Sequence, residues 1–383
     1  MVALPGHGSQ IRARSGAYIL LVRSRVAAHY FAMDTLTHAL SGMLLARATA
    51  RTTSTKPQLP LHVRMWCGFL AAAFPDADFV SRYFGSLSYL EHHRGVTHSI
   101  LMLPLWAVLL AVIFSLLWRR RYSWKLFYGI SAMSILIHIL ADVITAYGTM
   151  VFAPVSDWRL SLPTTFIIDP YFTGIILVSL ILAWRMKVQG RRIAIAGLVT
   201  LVCYIGVQAM WHQQALQVAE QNVKSLGLNK AKVSVLPQPL SPRHWKLILE
   251  TDHKYHIAYL NLGTNRPVTN SKPTSMWGKI NALYRPAGQL QWQTVYQYGD
   301  TAANRQLAEA AWSLPVLKTL RHFMEYPSLF DIEHRQEGLC ASFVDQRFVL
   351  KGLRAPFRFG ACRKAAGQWQ AYRFAGDKII PLL

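Results

Sequence analysis

The apolar run Phe127–Ala146 is long enough to cross a bilayer, yet it carries a histidine and an aspartate four residues apart, His138 and Asp142. A spanning helix needs about 20 apolar residues, and ionisable side chains at that depth are costly and point to a function. The spacing of four places both side chains on one helical face. A neutral imidazole and a carboxylate directed at one place are suited to a divalent metal.

The distribution of charge indicates two regions. Of the 383 residues, 52% are hydrophobic and only 15% are charged, whereas soluble domains carry roughly 25% charged residues. The deficit falls on residues 99–211, and residues 212–383 have an ordinary soluble composition. We therefore expect a mainly α fold: a polytopic membrane domain at 33–211 with about five to six hydrophobic helices, followed by a smaller α+β soluble domain.

The first 32 residues differ from the rest. They are rich in arginine, and their apolar stretch Ala17–Val22 is too short to span and lacks a persuasive cleavage site. Met33 is followed by a helix start with Asp34 as the N-cap candidate. We interpret residues 1–32 as a disordered extension or a mis-assigned start, with Met33 as the biological start.

The basic loops set an orientation. The loops between successive apolar segments contain clusters of Arg and Lys, which the positive-inside rule places in the cytoplasm. Alternate crossings then place 75–98, 147–169 and everything after about 212 outside it. The protein is thus expected in a bacterial inner membrane, with a periplasmic C-terminal domain. The apolar segments are 36–46, 62–74, 100–118, 126–146, 170–184 and 193–211, and the clusters are Arg47/Arg51/Lys56, Arg119–Arg121/Lys125 and Arg185/Lys187/Arg191/Arg192.

The same basic charge bears on partners. A net charge of +23 could suggest nucleic acid, but much of it flanks apolar segments and no nucleic-acid-binding motif is present. The expected partner is the lipid bilayer, and the oligomeric state stays open.

In the soluble region, Cys340 and Cys362 could pair if that region is exported, which the sequence does not decide. Strands are predicted at 245–251, 255–262, 290–298, 343–350 and 368–374, with a helix at about 304–325.

The remaining polar residues of the membrane domain converge on its outer face. Each of them lies at the outer end of an apolar segment. Because the orientation is set by the basic loops alone, this convergence is an independent observation. These histidines and aspartates suit zinc, with manganese or iron as alternatives, and their number allows two metals. His92 is expected to be a neighbour rather than a ligand, and Asp169 before Pro170 is expected to mark a turn. The expected ligands are His38, Asp76, Asp78, His93, His98, His138 and Asp142.

This set of residues predicts a metal-dependent hydrolase. The metal would lower the pKa of a water toward neutrality, and the resulting nucleophile would cleave a phosphoester or acyl bond. Arg94 and Asp78 are the expected catalytic residues, with Arg94 holding an anionic group or stabilising the transition state. Because the site lies at headgroup depth, lipids or lipid-linked phosphoesters are the expected substrates.

Several motifs resemble the YdjM-like inner-membrane metal-dependent hydrolase family over roughly residues 33–200. The resemblance implies a membrane hydrolase and supports Met33 as the start. The order His, Asp, His, His-x-x-x-Asp is also distantly similar to bacterial zinc-dependent phospholipase C, although a mature N-terminal tryptophan ligand is missing and the last motif ends in Asp. The motifs are Met33–His38, Pro75–Asp78, His93–Ser99, and His138 through Asp142 to Thr145 and Gly148.

Two other classes of function remain as alternatives. An ion-coupled transporter or channel could use the same intramembrane His and Asp, but it predicts polar residues through the whole bilayer. The cytoplasmic half of the fourth segment, Leu126–Leu136, offers only Ser131 and Ser134. A membrane-anchored structural or signalling protein could instead act through the soluble domain, with a structural metal.

Overall fold

The computed structural model describes residues 34–50, 57–228, 230–264, 278, 281–350, 355, 357–364, 367–376 and 378–382. The predicted extension 1–32 and start at Met33 lie outside these residues. The described chain is helical up to residue 225, and antiparallel sheets follow.

Seven helices form the first region. They are α1 (34–48), α2 (Leu61–Ala73), α3 (Ser86–His92), α4 (Leu103–Leu117), α5 (Trp124–Val143), α6 (Pro170–Arg185) and α7 (Gly190–Ser225). Two 3-10 segments, Pro75–Phe84 and Val96–His98, follow α2 and α3. One buried cluster joins α2, α4 and α5, and another joins α1, α6 and α7.

The helix ends follow local sequence signals. Pro104 lies in the first turn of α4, where its missing N–H is not needed. At α6, the Asp169 carboxylate accepts hydrogen bonds from the amides of Tyr171 and Phe172, at 2.8 and 3.0 Å. Asp169 is therefore the N-cap of α6, a local structural role like the turn expected before Pro170.

Two of the described helices, α5 and α7, are long and apolar enough to cross a membrane. The segments Ser86–His98 and Leu103–Leu117 pass this test together but are bent by 80°, which gives up to three crossings. Helix α6 is apolar but shorter. The expected five to six spans are therefore not confirmed, because α1, α2 and α6 are too short to cross a hydrocarbon core of about 30 Å as straight helices.

The C-terminal region contains two antiparallel sheets. The first has the order β1 (Lys232–Pro237), β2 (His244–Thr251), β3 (Lys254–Asn261), β4 (Gln293–Tyr296). The second has the order β5 (Pro327–Arg335), β6 (Gly338–Asp345), β7 (Arg358–Arg363), β8 (Trp369–Ala375), β9 (Lys378–Pro381). Helices α8 (Ala302–Trp312) and α9 (Lys318–Phe323) lie between them in sequence.

The two regions are physically continuous. Ala215 and Ala219 of α7 are buried against Trp245 and Leu247 of β2. Helix α7 therefore leaves the membrane region and enters the core of the first sheet without a break. In the second sheet, Cys340 and Cys362 are directly opposite each other on β6 and β7 and form a disulfide.

Candidate metal centre

Four separate segments contribute polar side chains to one buried cluster. Helix α1 supplies residues from its first turns, Pro75–Phe84 follows α2, the turn around Gly95 follows α3, and α5 supplies the deepest pair. The cluster comprises Asp34, His38, Asp76, Asp78, His93, Arg94, His98, His138 and Asp142. The predicted convergence of distant sequence positions is thus seen in the fold.

His138 has a defined orientation. Its Nδ1 lies 2.6 Å from the carbonyl oxygen of Ala72, which can only accept, so Nδ1 carries the proton and donates. The other nitrogen, Nε2, faces the cluster, 3.4 Å from an Asp142 oxygen and 3.0 Å from Nε2 of His98. A histidine held through one nitrogen with the other directed at carboxylates is the usual arrangement of a metal ligand.

His98 is held in a comparable way. Its Nδ1 lies 2.9 Å from the Thr97 hydroxyl and 3.4 Å from an Asp78 oxygen. Its Nε2 is 3.1 Å from Asp142 and 3.8 Å from Asp76. Both imidazoles therefore present Nε2 to the same group of carboxylate oxygens.

Two sets of three side chains could each hold a metal ion. Asp76, His98 and His138 form one set, and His38, His138 and Asp142 form the other, with the ligand atoms of each set within 4.8 Å of one another. Two atoms of these side chains are buried without a hydrogen-bond partner: Nδ1 of His38 and Oδ2 of Asp76. Because buried polar atoms are nearly always satisfied, this nitrogen and oxygen donor set fits a divalent cation.

Arg94 is buried inside the cluster rather than exposed at its mouth. Its Nη2 is 2.8 Å from Asp142 Oδ1 and 3.5 Å from Asp34 Oδ2, and its Nη1 donates to the Thr145 hydroxyl at 2.7 Å. Its φ of 58° is uncommon for a residue other than glycine. In this structure Arg94 orients Asp142, and its predicted contact with a substrate anion stays a prediction.

Asp78 and His93 lie one contact away from the metal-facing atoms. Asp78 Oδ1 is 2.8 Å from His93 Nδ1, and its Oδ2 accepts a hydrogen bond from the Arg94 amide at 2.8 Å. Burial raises the pKa of Asp78, but His93, His98 and this amide together lower the pKa by more than burial raises it. The net pKa therefore lies below the usual range. The structure thus places Asp78 as a support for His98, and direct metal ligation by Asp78 and His93 stays a prediction.

Three residues at the cluster were not identified from the sequence as site residues. Asp34 lies 3.3 Å from His38 Nε2, and its spacing of four from His38 repeats that of His138 and Asp142. That repetition could have identified it. Tyr147 and Arg159 gave no comparable signal. Arg159 donates to the carbonyls of His93 and Leu90 at 3.1 and 3.0 Å.

Comparison with known proteins identifies the membrane region. The family model described as YdjM inner membrane protein matches residues 33–215. The chain is also similar to a Bacillus subtilis (strain 168) protein named "Uncharacterized protein YfhP", with 23% identity over 231 residues, 59% of this chain and 67% of that protein. No solved structure matches. The likeness to zinc-dependent phospholipase C stays a prediction.

Proposed function

Residues 33–215 belong to the YdjM inner membrane protein family, and on that premise we propose that the chain is a membrane-bound metal-dependent hydrolase. The proposed metal is zinc, with manganese or iron as alternatives. The observation that carries the proposal is the pair of ligand sets sharing His138, together with the buried, unpartnered Nδ1 of His38 and Oδ2 of Asp76. Membrane location is supported by the family and by the apolar helices α5 and α7.

The residues divide into ligands and supports. His38, Asp76, His98, His138 and Asp142 would hold the metal. A divalent metal supplies a Lewis acid that lowers the pKa of a water toward neutrality. Arg94 fixes one oxygen of Asp142, Asp78 fixes the Nδ1 side of His98, and the Ala72 carbonyl fixes His138. Such supporting contacts set the geometry of the ligands.

The exposed side chains of the segment Pro75–Phe84 support the proposal of a lipid-type substrate. Asp76 points inward, whereas Tyr83 and Phe84 are 83% and 80% exposed and Val80 is also exposed. Exposed aromatic residues beside apolar helices are typical of membrane interfaces. A substrate whose headgroup lies at that interface, such as a lipid or lipid-linked phosphoester, would meet the segment that carries Asp76.

Metal analysis tests the ligand set. Purified wild-type protein is expected to contain divalent metal, and His138→Ala and Asp142→Ala to lose most of it. His92→Ala is the matched control, because His92 is exposed and its Nδ1 bonds only within α3, to Ser88. Unchanged metal content in His138→Ala and Asp142→Ala would show that these residues do not bind the metal.

A substrate panel tests the activity. The full protein in detergent is incubated with phospholipids, lipid phosphates and a water-soluble phosphoester, with and without chelator. Hydrolysis that disappears with chelator and returns with zinc supports the proposal. Absence of hydrolysis of every substrate by the fully metal-loaded protein would contradict it.

The burial of the ligands favours a second candidate, a membrane-anchored protein with a structural metal. His38, Asp76, His98, His138 and Asp142 are all buried, whereas catalytic metal sites keep one position open. This candidate predicts that chelator lowers the thermal stability while no substrate is hydrolysed. Flux in proteoliposomes distinguishes both metal-site candidates from an ion-coupled transporter, because neither of them requires it.

We further propose that the chain crosses the membrane several times and that its C-terminal domain is periplasmic. The Cys340–Cys362 disulfide supports this side, because disulfides persist mainly in oxidising compartments.

A further inference from the structure

Tyr147 lies between the metal centre and the C-terminal domain. On one side its ring is 5.2 Å from the His93 ring, and the Arg94 guanidinium lies 4.9 Å from its centroid. On the other side it contacts Phe323 and Phe348, with centroids at 5.2 and 5.7 Å. This buried side chain therefore touches residues of both regions directly.

The backbone of Tyr147 is also held from the C-terminal domain. Arg347 is buried and pairs with Asp345 at 2.7 Å, and its Nη1 donates to the Tyr147 carbonyl at 3.1 Å. Lys246 of β2 donates to the carbonyls of Gln346 and Val349, at 2.6 and 3.0 Å. Both sheets thus fix the short segment that binds Tyr147.

The same interface reaches the turn that carries His93. Tyr89 and Leu90 of α3 are buried in one hydrophobic cluster with Phe343 and Phe359 of the second sheet. Tyr89 stacks on His93, with centroids 4.6 Å apart. The core of the C-terminal domain is therefore continuous with the residues directly behind the metal-facing atoms.

We infer that the C-terminal domain forms the outer wall of the metal centre, with Tyr147 and Arg347 as positioning residues for its ligands; this rests on the proposed metal site. The positive φ of Arg94 is a strained backbone conformation for a residue other than glycine. Packing around Arg94 is needed to keep this conformation. Tyr147 packs against the Arg94 guanidinium, and Arg347 keeps Tyr147 in place. The domain then contributes to metal affinity without contributing a ligand.

Cobalt binding tests this inference on the full-length protein in detergent, with Co²⁺ as the probe metal. Arg347→Ala and Tyr147→Ala are expected to bind Co²⁺ about tenfold more weakly, with an altered visible absorption spectrum, because supporting residues affect affinity and geometry. Tyr147→Phe keeps the ring and should bind as wild type does. Arg358→Ala is the matched control, because Arg358 pairs with Glu333 within the second sheet.

Hydrogen exchange of the metal-free protein separates this inference from the proposed function. Arg347→Ala should speed exchange in peptides covering 93–98 and 145–150, and Arg358→Ala should not. Faster exchange supports the inference even if wild-type protein binds no Co²⁺. Failure of the wild-type protein to bind Co²⁺ would overturn only the proposed metal site. Equal exchange in a folded Arg347→Ala variant, or equal cobalt affinity and spectrum, would overturn the inference.

Discussion

Asp34 shows how a single carboxylate can join two parts of the centre. It lies within ion-pair distance of both His38 and Arg94, and its side chain is only 17% exposed. Asp34→Asn keeps the size but removes the charge. We expect about tenfold weaker metal binding, since partners of metal ligands typically contribute this much.

Titration with Co²⁺ measures this effect. Asp252→Asn is the control, because Asp252 is exposed in the turn between β2 and β3. Equal affinity of Asp34→Asn and wild-type protein would show that Asp34 does not support the centre.

Lys246 makes the stability of the C-terminal domain depend on pH. Burial lowers the pKa of Lys246 to about 7, from an ordinary value of 10.5. Between these values the unfolded chain binds more protons, so stability rises with pH, by up to about 1.4 kcal/mol per pH unit from this residue. Below pH 7 the contribution of Lys246 is constant.

Urea unfolding of the domain at pH 7 and pH 9, followed by near-ultraviolet circular dichroism, measures this dependence. The Lys246→Met variant keeps the length of the side chain but does not titrate, and its stability should rise less over this interval. The same change in both proteins would contradict a low pKa for Lys246.

At the scale of single residues, helical periodicity made part of the cluster predictable. The spacing of His138 and Asp142 on an apolar helix predicts that they face one place, and the structure brings them together with His38, His98 and Asp76. The sequence did not reveal which side chains lie one contact away, because turn geometry around Gly95 decides the position of His93. Tyr147 and Arg347 are 200 residues apart, so no local pattern connects them.

Among the elements, α1 and α2 are in close backbone contact near the metal centre. A Cβ added to Gly42 would lie 2.3 Å from the Gly68 carbonyl oxygen and 2.4 Å from Ala72 Cβ. Gly42→Ala must therefore push α1 away from α2, together with His38. We expect weaker metal binding and a loss of stability of about 1–3 kcal/mol, as for overpacked cores.

Gly129→Ala is the matched control on α5, because nothing lies within 4 Å of an added Cβ there. It should be neutral or slightly stabilising, since alanine is the better helix former. Thermal unfolding and metal titration measure both variants. Wild-type behaviour of Gly42→Ala would show that the helices separate without cost.

Element positions were predicted better than their roles. Each apolar segment overlaps an observed helix. The strands β1, β5, β7 and β9 were not identified from the sequence. The predicted helix 304–325 is divided by Pro315, which cannot continue a helix interior.

For the molecule as a whole, the disulfide gives a test of orientation. When cells are quenched and unfolded in denaturant, a maleimide reagent should modify the buried Cys340 and Cys362 only after reduction, which adds two labels per chain to those on the free Cys67 and Cys203. The double variant Cys340→Ser/Cys362→Ser should lose about 3 kcal/mol of stability, for a sequence separation of 22 residues. Labelling of Cys340 and Cys362 without prior reduction would indicate a reducing compartment and contradict a periplasmic domain.

In the proposed topology, helix α7 fixes the height of the C-terminal domain above the membrane. Its 36 residues extend about 54 Å, whereas the hydrocarbon core takes about 30 Å. The remainder is not a flexible linker, because Ala215 and Ala219 lie in the core of the first sheet. The position of that sheet relative to the bilayer therefore depends on α7. A change in bilayer thickness or in the tilt of α7 would move the sheet together with the helix.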